Sequence, residues 1–147
     1  MSKQDNLKKL ARRLRAHSLR MVARADASHI GSCLSSADIL AVLYGSVLRI
    51  DPKYPDCPSR DRLVVSKGHA AAIIYAALAE RGFFGLDWLL SYCESGSRLA
   101  GHVSHNGVPG VEVSTGSLGH GLPIACGMAL AAKTDNQDAN IYALLSD

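Results

Sequence analysis

The 147-residue sequence is short of the features that most quickly give a protein away. Its four cysteines, Cys33, Cys57, Cys93 and Cys126, are far apart and make no C-x-x-C pair. This argues against a zinc knuckle and against a small disulfide scaffold; reduced thiols in a cytoplasmic protein are the simplest reading. There is no H-E-x-x-H pair and no G-x-S-x-G elbow, which argues against a histidine-held zinc and a serine nucleophile. The dinucleotide fingerprint G-x-G-x-x-G and the P-loop pattern are also missing. A net charge of only +3 argues against a dedicated nucleic-acid binder. No apolar stretch reads as long and uninterrupted enough to span a bilayer, and no signal-peptide hydrophobic region is present. Repeats and low-complexity tracts are lacking too.

What is there describes a globular chain. Hydrophobic residues make up 48% and charged residues 20%, enough for one domain, or part of one, with a real core. Basic residues crowd the start: Lys3, Lys8, Lys9, Arg12, Arg13, Arg15, Arg20 and Arg24, with Asp5 the only acid before Asp26. No aromatic residue lies among them to anchor at a membrane interface, so they read as the solvated face of a helix. Leu7, Leu10, Ala11, Leu14, Ser18, Met21, Val22 and Ala25 form the opposite stripe at helical spacing.

Further along, residues 27–36 read as a small-residue loop in which Ser35 or Ser36 caps a buried helix over 36–48. A proline-bearing loop, 51–62, precedes a short apolar run, Arg62–Ser66, with the look of a buried parallel strand. Lys67–Ala70 turns into an alanine-rich helix, 71–81, stopped by Gly82. A shorter helix covers 86–93, residues 95–110 are irregular, and 111–115 are extended. Another helix-forming run begins at Pro123, and 141–145 read as another buried strand. Strands alternating with helices predict an α/β fold with a mainly parallel sheet flanked by helices.

Ligands in such sheets sit beyond the carboxyl ends of the strands. That rule places Lys67–His69, Gly116–Gly119 and Asp147 on one side. The stretch Val113–Leu122 carries three glycines ahead of a helix start, which suits either close packing or an approaching phosphate. His29, His69, His102 and His105 lie in small-residue loops, and His120 lies in the glycine turn. Histidines there can donate to phosphates or hydroxyls and move protons near neutral pH. Asp147, after a buried strand, is either an ordinary acid or a magnesium ligand.

Four stretches, in order, resemble the N-terminal, thiamine-diphosphate-binding part of the transketolase family, particularly its split bacterial form. They are Ser28–Ser32 with Ser36–Leu40, Asp61–His69, Ala100–His102, and Gly110–Gly119. The resemblance implies a partial thiamine-diphosphate-binding fold over residues 1–147, incomplete at its C-terminal end. It implies that His29 and His102 serve catalysis and hold the sugar substrate. His69, Gly116, Ser117 and Leu118 would contact thiamine diphosphate, and Asp147 would be the first protein ligand to Mg²⁺ or another divalent cation such as Ca²⁺ or Mn²⁺. The implied activity is transfer of a two-carbon ketol unit between sugar phosphates, with a C-terminal transketolase subunit or a second copy as partner.

Departures from the family pattern are Ser28 and Ser146 where glycine is usual, Ser117 in place of proline, and His120 in place of glutamine. The family's remaining metal ligands fall beyond residue 147, so the expectation is a chain that is inactive without the missing portion or a partner. A non-catalytic interaction module and a relative of deoxyxylulose-phosphate synthase are the alternative readings.

Overall fold

The computed structural model describes residues 2–146. The first helix, α1 (Lys3–Arg24), opens on a capping box: the Ser2 hydroxyl accepts from Asp5 N–H at 3.1 Å while Asp5 accepts from Ser2 N–H at 3.1 Å. Its predicted stripe is real, with Ala11, Leu14, Ser18, Met21 and Val22 buried. That stripe packs on α2 (Ile30–Val42) and on α3 (Ala71–Arg81). Nine consecutive residues of α3, from Ala71 to Ala79, are buried, as expected of a helix that is apolar all round. Leu14, Leu40, Ile73 and Leu78 are fully enclosed in this core. Each stabilises by roughly 1.5–3 kcal/mol through burial.

The sheet among the described residues has two strands, β1 (Arg62–Val65) and β2 (Ile141–Leu144), which pair in parallel from Arg62 with Ile141 to Val65 with Leu144. The last helix, α4 (Gly121–Thr134), packs on both strands. Asp61 clamps their starts. Its carboxylate, 1% exposed, accepts from Asn140 N–H at 2.9 Å, from Arg49 N–H at 2.9 Å, and from the Arg49 guanidinium. Burial alone would raise the pKa of this carboxyl; Arg49 and the two backbone donors outweigh it and hold it below the usual 3.8.

Several sequence expectations change. Helix α2 begins at Ile30, six residues before the predicted cap, because Ser35 and Ser36 satisfy their hydroxyls on the Ser32 carbonyl inside the helix. Its continuation through a π-helical turn, Leu43–Val47, leaves Ile39, Val42 and Val47 exposed rather than buried. The segment Ile30–Val47 is, by length and a mean hydropathy of 1.5, apolar enough to cross a membrane, which the sequence reading missed. Here it packs on α1 and α3 as a core element. The helix expected over 86–93 is a 3-10 helix, Leu86–Ser91. Residues 111–115 join no sheet, since Thr115 is instead tied by single bonds to Val103 and Val65. Strand β2 is only half-buried at Ile141, Tyr142 and Ala143.

Candidate active site

Three of the candidate histidines, His29, His69 and His102, gather near the carboxyl end of β1. β1 runs into a 3-10 turn, Gly68–Ala70, that presents His69. Gly68 is the joint: a Cβ there would lie 2.0 Å from the Thr115 carbonyl oxygen, so only glycine lets the two segments touch. The Gly68 carbonyl in turn accepts from Val103 N–H at 2.9 Å, which places His102 beside it. Tyr75, fully buried in α3, donates its hydroxyl to the His102 carbonyl at 3.0 Å and accepts from Ser104 N–H at 3.1 Å. Burial pushes that phenol up to about 12, so it stays a neutral donor. His29 caps α2 in a left-handed conformation, φ 70°, an uncommon backbone for a non-glycine residue.

These constraints bring three predicted histidines together. The rings of His29 and His69 are 5.0 Å apart between centroids, and those of His29 and His102 are 5.9 Å apart. Burial, then the neighbouring His29, Lys67 and His102, lower the pKa of His69 below 6.5. It is therefore a neutral hydrogen-bonding group at pH 7.

Two cavities flank the trio. One, about 380 Å³, is lined by Ser66, Lys67, His69, Leu118, Gly119, Leu145 and Ser146. The other, about 360 Å³, includes Ser28, His29, Tyr92, Cys93, Gly101 and His102. A larger cleft of about 510 Å³, between Asp87 and Leu99, contains none of the histidines.

The glycine turn closes the first cavity. Gly119 has φ 87°, and Gly121 brings the start of α4 against β1, where a Cβ would lie 2.6 Å from Ser66 Cα. Gly116 adjoins His102, while Ser117 and Leu118 are exposed at the rim. The approach to the turn is held three ways. The Glu112 side chain, 7% exposed, takes Arg60 in a two-point ion pair. Ser114 and His105 bond reciprocally, with the Ser114 hydroxyl 2.7 Å from His105 Nδ1. The Thr115 hydroxyl donates to the Val65 carbonyl at 2.6 Å.

His105 thus positions the turn and stands apart from the trio. His17 pairs with Glu80 on the far side. Asp147 lies outside the described residues, and the strand leading to it ends in the first cavity through Leu145 and Ser146. Among the described residues no group of three His, Cys, Asp or Glu side chains could hold a metal ion. The described lining of the first cavity has a lysine, a histidine and no carboxylate, a donor set for an anion rather than a cation. It fits a diphosphate.

Residues 6–143 match the family model described as the transketolase thiamine diphosphate binding domain. The chain belongs to the transketolase family. Over 144 residues it is 44% identical to an apulose-4-phosphate transketolase subunit from Actinobacillus succinogenes, covering 97% of this chain and 52% of that one. It is 38% identical to the 6-deoxy-6-sulfo-D-fructose transketolase subunit SqwG of a Clostridium species, covering 54% of it. The chain thus spans about half the length of these curated relatives. The transketolase of Campylobacter jejuni superposes with a TM-score of 0.91 at 37% identity, covering 97% of this chain and 24% of that chain. The transketolase of Leishmania mexicana gives 0.89 at 34% identity, covering 96% and 23%. The α/β reading and the family resemblance therefore hold.

Sequence reasoning placed Lys67 on the ligand side only as the start of Lys67–His69 and gave neither it nor Cys93 a role; it did not single out Ser66, Tyr75, Tyr92 or the Arg60–Glu112 pair. Only the Ser-Lys-Gly-His run pointed toward Lys67 and Ser66, since nothing in a linear sequence shows that a lysine is buried.

Proposed function

We propose that this chain supplies the diphosphate-binding half of a thiamine-diphosphate-dependent transketolase site. In this reading it takes part in moving a two-carbon ketol unit from a ketose phosphate to an aldose phosphate. The observation that carries the reading is the convergence of His29, His69 and His102 between two cavities at the strand ends. When bound, thiamine diphosphate supplies the nucleophilic carbon that takes up the two-carbon unit. His69 and the turn at Gly116, Ser117 and Leu118 hold the cofactor in the first cavity. His29 and His102 donate to hydroxyls of the sugar in the second and serve proton transfer there. Asp147 contributes a carboxylate oxygen to Mg²⁺ or a similar divalent cation, which takes oxygen ligands.

The names of the subunit relatives support a two-part enzyme, with a C-terminal transketolase subunit or a second copy as partner. Their coverage supports the further proposal that these residues do not complete a turnover without additional sequence. The transketolases among the matched relatives favour ketol transfer over deoxyxylulose-phosphate synthesis. A ketol-transfer assay of the chain with thiamine diphosphate and Mg²⁺, alone and with a C-terminal transketolase subunit, tests this. Turnover only in the mixture, lost in a His29→Ala or His102→Ala chain, is the expected result. Full turnover by the chain alone would overturn the two-part reading, and turnover of the mixture unaffected by either variant would overturn the roles of the histidines.

A further inference from the structure

The face between the end of α1 and the 3-10 helix Leu86–Ser91 has no part in the site described above. A groove of about 350 Å³ lies there. Met21 and Leu89 are buried and form its floor, while Leu86 and Leu90, 49% and 59% exposed, form one lip. The opposite wall is α1, where His17, Arg20 and Arg24 recur at helical spacing. His17 and Arg24 are engaged, with Glu80 at 3.0 Å and Glu94 at 3.0 Å. Arg20 is exposed and has no acidic partner among the described residues. The one acid of the lining, Asp87, folds back over its own turn: a Cβ added at Gly85 would lie 2.1 Å from Asp87 Oδ1. Asp87 also borders the cleft of about 510 Å³ that runs to Leu99, so the two depressions lie end to end. That shape suits an elongated ligand, a stretch of polypeptide rather than a small molecule. The charge of the wall belongs to the whole helix. α1 carries eight Lys and Arg against Asp5, whereas the rest of the sequence has eight Lys and Arg against twelve acids.

We propose that this groove docks an acidic amphipathic helix of a partner protein. The helix sets apolar side chains on Met21 and Leu89 between Leu86 and Leu90, and Asp or Glu side chains against Arg20 and the basic face of α1. Charge complementarity over an apolar floor selects this occupant: helices are held in grooves by anchors at i, i+3, i+4 and i+7, and flanking charges set partner choice. A second copy docked face to face would instead bring two basic helices together. An anionic membrane would meet the charges, but the floor is recessed and α1 has no aromatic residue to anchor at an interface. The proposal is independent of the diphosphate reading, because the groove shares no lining residue with either histidine cavity.

The test titrates the full ¹⁵N-labelled chain with a synthetic peptide of about sixteen residues, long enough to form a helix, with Leu at i, i+3, i+4 and i+7 and Glu elsewhere. A scrambled peptide of the same composition and one with Lys in place of Glu are the controls. The expected result is saturable amide shifts at His17–Arg24 and Leu86–Leu90 with the ordered peptide, binding about tenfold or more weaker for the scrambled one, and none for the Lys peptide. Arg20→Glu should weaken the ordered peptide about fivefold and flatten its salt dependence, and Leu90→Ser should weaken it about tenfold. Both side chains are exposed, so the melting temperature should stay within about 2 °C of wild type; if one variant does not fold, the other decides. Equal binding of the ordered and scrambled peptides, or shifts spread evenly along α1, reduces the face to nonspecific charge and overturns the proposal. So does the absence of binding, or a folded variant that binds the ordered peptide as tightly as wild type. Phosphatidylserine vesicles that shift these amides where the peptide does not would assign the face to a membrane. A dimer in light scattering that Arg20→Glu dissolves would assign it to a second copy. Either result overturns the proposal.

Discussion

Replacing Gly68 by alanine tests the joint that brings the site together. The added Cβ would sit 2.0 Å from the Thr115 carbonyl oxygen and 2.8 Å from Thr115 Oγ1. Ordinary contact begins at 3.4 Å, so one of the two segments must retreat by about 1.4 Å. A retreat of that size breaks the Thr115–Val65 bond at 2.6 Å and strains the Val103–Gly68 bond at 2.9 Å. Each hydrogen bond contributes about 1 kcal/mol net, and overpacking of a buried position costs roughly 1–3 kcal/mol more. The expected destabilisation is about 3–5 kcal/mol, which lowers the melting temperature by about 10 °C for a domain of this size. The same shift carries Gly116 away from His102, and a misplacement of about 1 Å in a binding constellation can cost about a hundredfold. Thermal unfolding by circular dichroism reads the first effect, and titration with thiamine diphosphate and Mg²⁺ reads the second. A Gly68→Ala chain that melts within about 2 °C of wild type and binds the cofactor as well would refute the reasoning.

His69 makes binding proton-linked. Its pKa is depressed in the free chain by burial and then by the neighbouring His29, Lys67 and His102, and a bound diphosphate favours its protonated form. Binding should therefore take up a proton as pH falls from about 7 to about 6, seen as a buffer-dependent heat. His69→Gln should remove that component; equal proton uptake in both proteins would count against it. In the free protein the sign is the usual one for a depressed pKa. The unfolded chain takes the proton first, so stability is present above 6.5 and is lost as pH falls from 6.5 through the lower folded value. The clamp at Asp61 works in the acid range. Asp61→Asn should cost about 2–3 kcal/mol through lost charge-assisted bonds to Arg49 and Asn140, lowering the melting temperature by about 6–9 °C. Wild type should lose this contribution as pH falls below 3.8 through the depressed pKa of Asp61, and the variant should not.

The site was more legible in the sequence than the fold around it, for physical reasons. His69 could be placed at the ligand side because it follows an apolar strand whose carboxyl end lies there; the same rule was applied to the 116–119 turn, although 111–115 join no sheet. The meeting of His29 and His102 with His69 was implied only by family resemblance; the Gly68 joint and the Tyr75 hydroxyl that cause it are long-range contacts with no local signal. The start of α2 was misread because serine caps a helix and also fits inside one, where its hydroxyl bonds back to the preceding turn. Residues 111–115 alternate like a strand, but the polar Ser114 and Thr115 fasten themselves to His105 and Val65 instead of a ladder. The role of Asp61 was hidden for a similar reason, since its partners Arg49 and Asn140 lie 12 and 79 residues away.

The central claim is that the cavity between His69 and the glycine turn takes a diphosphate. Its most direct measurement is a two-dimensional amide NMR titration of the ¹⁵N-labelled chain with thiamine diphosphate and Mg²⁺, followed by inorganic pyrophosphate. Saturable shifts should concentrate at Ser66–His69, Gly116–Gly119 and Leu145–Ser146, with pyrophosphate reproducing that core of the pattern. Shifts confined to the Asp87–Leu99 cleft, or none from a folded chain with ligand in large excess, would contradict it.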